Sequence, residues 1–173
     1  MGISMKAIMV TDGQILGLCE STSQLDKTVQ ALFRGHDDDC YLADYWDGIH
    51  YVLTAGNENS NLPLSALKRG DVEFSGDVAF SKRQPESTHA IYSTTVRDLA
   101  IALRQITEST LRERFNKPRM LELNIYPGRL WAFPDHEDDG FRELMLYYSR
   151  LRDLVAKAAG QNKGLFFIRY EDW

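Results

Sequence analysis

The chain has 173 residues, of which 43% are hydrophobic and 26% charged, enough for one domain to close a full core and unlike the composition of a disordered segment. Against 20 lysines and arginines stand 25 aspartates and glutamates, a formal charge of -5; nucleic-acid affinity comes from clustered cations on phosphates, so this balance argues against a general nucleic-acid binder. Cys19 and Cys40 show no CxxC and no metal-type spacing, which suits a reducing cytosol and requires no disulfide.

The N-terminus has no long apolar run behind a basic region, and Lys6 breaks the myristoylation pattern that Met1-Gly2 would open, so neither a membrane span nor a lipid anchor is expected. The expected location is the cytoplasm. Ile3 to Thr11 reads as a strand that ends in a turn at Asp12-Gly13. Ser23 can cap a helix running to about Arg34, with Leu25, Val29, Leu32 and Phe33 on its buried side and Gly35 as its stop.

His36-Asp37-Asp38-Asp39 follows, and its composition returns at His136-Glu137-Asp138-Asp139. A calcium loop needs spaced oxygen ligands and a placed glycine, which neither stretch has, so no metal is expected. Both read as solvated acidic loops, electronegative surfaces through which a basic protein partner could dock.

Asp44-Tyr45-Trp46-Asp47-Gly48-Ile49-His50, continuing into Tyr51-Val52-Leu53-Thr54, carries the densest chemistry. Tyr45, Ile49, Val52 and Leu53 recur at offsets of three and four and predict one buried stripe of a helix. Asp47 and His50 are one turn apart, as are Trp46 and His50. A neighbouring carboxylate raises an imidazole pKa and burial lowers it, so the spacing leaves the sign open. Gly48 weakens the helix by about 1 kcal/mol relative to alanine. Two readings compete: a core helix whose Asp and His satisfy each other or nearby backbone, and a small-molecule or catalytic pair beside an aromatic.

Asn57 to Asn61 is a polar linker, and Pro63 opens a short helix that ends near Gly70. Val72-Glu73-Phe74 and Val78-Ala79-Phe80 are strand-like. Ser93, Thr94 or Thr95 can cap a helix with the stripe Val96, Leu99, Ala100, Leu103 and Ile106. A turn from Thr110 to Phe115 leads to Asn116, an N-cap candidate ahead of Pro118. Arg112, Arg114, Lys117 and Arg119 cluster here, with Arg97 and Arg104 upstream and Asp98, Glu108 and Glu113 interspersed: a mixed-charge solvated face, or a patch for an anionic ligand or partner. Ile125-Tyr126-Pro127-Gly128 then forces the chain out of helix, with Tyr126 either packed or at a pocket rim. Phe141, Leu144, Met145, Tyr148, Leu151, Val155 and Ala158 make an amphipathic helix closed by Gly160. Leu165-Phe166-Phe167-Ile168 is a continuous apolar run suited to a central strand covered on both faces.

These elements predict an α+β fold in a single compact domain spanning residues 1–173, a mixed β-sheet packed by several amphipathic helices. Trp46-Asp47, His50, Leu53-Thr54, Pro63-Leu64-Ser65 and Ile125-Tyr126-Pro127-Gly128, with the opening strand, the long C-terminal helix and the closing strand in the same order, resemble the YfbM-like family of small uncharacterised bacterial proteins. The resemblance covers nearly the whole chain and implies a compact α/β-type domain without an accepted activity. The family pattern usually has Gly directly after the Thr, where this chain has Ala55 before Gly56.

There is no GxSxG, P-loop, GxGxxG or HExxH. No cofactor is expected. The leading expectation is a non-enzymatic binding or accessory protein, of the kind that masks another protein as immunity proteins do. The alternative is a small-molecule binder or enzyme with a cleft around Trp46, Asp47, His50 and Tyr126.

Overall fold

A computed structural model of the protein describes residues 2–20, 31, 38–57, 63–74, 88–132 and 137–172. The opening strand β1 (Gly2–Val10) sends Met5, Ala7 and Met9 into one apolar layer and Ile8 and Val10 into another, as the period of two in a strand demands. Its end is not the turn that Asp12-Gly13 suggests. The Gln14 side chain accepts the Thr11 amide at 2.7 Å, and Thr11 Oγ1 accepts the Gln14 amide at 3.1 Å. This reciprocal capping box starts helix α1 (Asp12–Glu20) at once. Asp12 then reaches across the fold and takes the Ser93 amide at 2.8 Å and the Ser93 hydroxyl at 2.7 Å, supplying the N-terminal cap of a second helix from outside it.

The remaining elements are β2 (Asp39–Ala43), α2 (Trp46–Thr54), α3 (Ala66–Arg69), β3 (Val72–Phe74), β4 (Thr88–Ile91), α4 (Ser93–Gln105), α5 (Glu108–Arg114), α6 (Lys117–Glu122), α7 (Gly128–Ala132), α8 (Glu137–Gly160) and β5 (Gly164–Asp172). The strands form one sheet in the order β2-β1-β5-β4-β3, and all four pairings are antiparallel. The α+β class is as expected, whereas the sheet is antiparallel rather than mixed. The connection from β4 to β5 passes through five helices, α4 to α8, and brings the chain back reversed. The two ends of the chain meet along a full-length ladder from Gly2 opposite Asp172 to Val10 opposite Gly164.

β5 occupies the centre, covered on both sides: Leu165 and Phe167 enter the larger core with Leu99, Leu103, Leu144, Tyr148 and Leu151, while Phe166 and Ile168 enter the smaller core with Ile15, Leu18 and Phe74. At its first residue a Cβ on Gly164 would lie 2.5 Å from the Ile91 carbonyl and 2.8 Å from Ile15 Cδ1, so glycine is what lets β4 and α1 close on the strand. The caps of α5 and α6 are Thr107 and Asn116, whose side chains accept the Thr110 and Arg119 amides.

Of the first acidic stretch, Asp38 is held by Lys157 at 2.7 Å and Lys163 at 3.6 Å, and Asp39 by Lys6 at 2.6 Å. These two carboxylates therefore tie the loop to α8 and β1 instead of presenting uncompensated charge; the hydrogen bond from Lys157 holds the Asp38 carboxyl below its ordinary pKa. His36, Asp37, His136, the side chains of Glu137 and Asp138, the helix expected from Ser23 to Arg34 apart from Ala31, and the strand expected at Val78 to Phe80 lie outside the described residues. Cys19 and Cys40 are free. Among the described residues no group of three or more His, Cys, Asp or Glu could hold a metal, and no helix is long and apolar enough to cross a membrane.

Candidate functional site

Helix α2 carries three of the four residues singled out by the sequence, and all nine of its residues are buried, not one stripe alone. It packs against α3, α5 and α8. Gly48 is the reason one side can close so tightly: a Cβ there would lie 2.9 Å from Trp131 Cζ2, so the missing side chain lets the Trp131 indole rest on the helix backbone. Trp131 in turn donates from Nε1 to the Ile125 carbonyl at 2.9 Å.

Trp46 and Tyr126 finish the sheet. β2 pairs with β1 only from Met5 to Ile8, which leaves the backbone of Ile3 without a strand on that side. Trp46 Nε1 donates to the Ile3 carbonyl at 3.1 Å, and the Ile3 amide donates to the Tyr126 hydroxyl, so two side chains replace the missing ladder. Their rings stack at 5.9 Å and 25°, and the Arg169 guanidinium sits 4.5 Å from the Trp46 ring.

Asp47 faces the same assembly. Its Oδ2 accepts the Tyr126 amide at 2.9 Å, and Lys68 Nζ lies 3.1 Å from its Oδ1 in a Coulombic contact outside hydrogen-bond alignment. With a side chain 8% exposed, this carboxylate ties α2 to α3 and to the turn before the cis Tyr126-Pro127 bond. His50, one turn further along, is 5% exposed, and its carbonyl accepts the Thr54 hydroxyl at 2.8 Å. The structure thus joins Trp46, Asp47 and Tyr126 directly and sets His50 in packing beside them.

Three basic groups that sequence spacing did not connect to this region complete it. Arg169 donates to the Lys68 carbonyl at 3.3 Å. His89 on β4 is 1% exposed, stacks on Phe167 at 4.7 Å and meets the Leu67 carbonyl through Nε2 at 3.1 Å. That bond requires a proton on Nε2, leaving Nδ1 as the bare nitrogen, which has no hydrogen bond among the described residues. Burial, reinforced by the positive charge of Arg169, pushes the His89 pKa down to about 3, so the ring is neutral at neutral pH. Arg114 closes the far end of α2, donating to the carbonyls of Val52 at 3.2 Å and Leu53 at 2.7 Å. The residue after that end, Ala55, takes a left-handed φ of 55°, at the position where the family pattern has glycine.

Two open clefts lie elsewhere, on the face of α8. One of about 500 Å³ is lined by Glu108, Ser109, Arg112, Phe141, Arg142 and Met145. The other, about 450 Å³, is lined by Tyr45, Lys117, Leu130, Trp131, Asp139, Gly140, Arg142 and Glu143. Arg142 belongs to both, and none of Trp46, Asp47, His50 and Tyr126 lines either. Aromatic contacts run beneath them from Tyr147 through Tyr45, Trp131 and Phe115 to Phe141, which is capped by the Arg112 guanidinium at 4.5 Å. The Tyr45 hydroxyl donates to Glu143, and burial together with that carboxylate raises its pKa.

Residues 1–168 match the family model described as "Domain of unknown function (DUF1877)". The chain belongs to this family. Among solved structures it is similar to YfbM from Escherichia coli, described as a protein of unknown function, at 20% identity and a TM-score of 0.72, over 96% of this chain and 99% of that one. At that identity the likeness speaks for the fold, and it agrees with the YfbM-like family that the motifs point to. No curated protein matches the sequence.

Proposed function

We propose that this member of the DUF1877 family works by binding a protein partner, as an accessory or masking protein, and that Trp46, Asp47, His50 and Tyr126 serve the frame that presents the binding surface. The observation that carries this reading is the use of the polar atoms: the Trp46 N–H, the Tyr126 hydroxyl and the Asp47 carboxylate are turned to Ile3, Tyr126 and Lys68 within the same chain. A site for an outside molecule presents such groups to a cleft. The net charge of -5 favours a basic partner.

The alternative, a small-molecule or enzymatic site at these four residues, makes the opposite forecast for the same variants. Asp47→Asn and His50→Gln should lower the melting temperature while a tagged full-length chain still captures the same protein from a lysate of the source organism. Stable variants that lose capture, or a wild-type capture consisting of a metabolite and no protein, would reverse the assignment.

A further inference from the structure

We draw no further inference here: the strongest candidate, the open cleft of about 500 Å³ between α5 and α8 that is lined by Glu108, Phe141, Arg142 and Met145, carries nothing, because Arg142 is engaged by Asp139 and nothing in the structure shows what covers Phe141 and Met145.

Discussion

The neighbourhood of Trp46 and the cleft beside Lys117 are built from similar materials, a tryptophan, a tyrosine, carboxylates and cations, and they differ in where the polar atoms point. Around Trp46 they turn inward: the indole N–H and the tyrosine hydroxyl cap the backbone of Ile3, and Asp47 binds Tyr126 and Lys68. Around Lys117 the side chains of Asp139, Arg142 and Glu143 border open volume. Residue chemistry alone does not distinguish a strut from a site. The strut reading proposed for Trp46 and Tyr126 is supported by the end of β1, where β2 is too short to pair Ile3 and its backbone groups must still be satisfied.

The largest effects belong to the frame. Leu103→Ala and Leu151→Ala, which are 1% and 2% exposed in the larger core, should each cost about 2 to 5 kcal/mol in urea melts through the cavity left behind. A shift below roughly 0.5 kcal/mol for either would mean that the core collapses freely and that the helices on it do not hold the frame. The same melts on Arg142→Gln should stay within about 0.5 kcal/mol, as expected of an exposed cleft residue.

A pH series sharpens the contrast from the buried side. His89 has a folded pKa of about 3, below its ordinary 6.5, so between those values the unfolded chain binds a proton that the folded chain refuses. Stability should therefore fall as pH drops from about 6.5 towards 3, by up to about 1.4 kcal/mol per pH unit from this group, with no contribution above the upper bound. Glutamine retains an amide near the Leu67 carbonyl and does not titrate. The wild-type curve minus the His89→Gln curve isolates the effect from carboxylates such as Asp38, and a flat difference between pH 4 and 6.5 would show that the ring is protonated or solvated in the fold.

A smaller effect probes the end of α2. Ala55 sits at φ 55° as the C-cap, a conformation that costs an L-residue roughly 1 to 2 kcal/mol and glycine almost nothing. Glycine loses more chain entropy on folding, so Ala55→Gly should stabilise by about 1 kcal/mol or less in thermal melts. A destabilised variant would mean that the methyl group makes a contact worth more than the backbone strain.

Local regularities were legible in the sequence. The stripes of α4 and α8, the double-sided run at Leu165 to Ile168 and the cap at Asn116 need only neighbours within a few residues. The capping box of Thr11 and Gln14 was also present, but Asp12-Gly13 inside it carries the composition of a turn and masks the helix start. Strand direction was not legible, because the order β2-β1-β5-β4-β3 joins segments from opposite ends of the chain. Of the candidate site, Trp46, Asp47, His50 and Tyr126 were expected around one cleft, but the stacking of Trp46 on Tyr126 was not legible, and Ile3, Lys68, His89 and Arg169 carry no local signal and meet it only through the fold. Lys157 neutralises Asp38 from 119 positions away, so the acidity of that loop could not be judged from its own residues.

The claim that the Trp46 assembly is a strut is tested most directly by urea melts of Tyr126→Phe and Asp47→Ala. Tyr126→Phe removes one oxygen and leaves the Ile3 amide without its acceptor; Asp47→Ala strands the Tyr126 amide and removes the carboxylate beside the Lys68 ammonium. Each should lower stability by about 1 to 3 kcal/mol, the cost of leaving buried or partly buried polar groups unsatisfied. If both variants melt within about 0.5 kcal/mol of the wild type, these groups do not hold the fold together, and the assembly is better explained as a site kept for a molecule from outside.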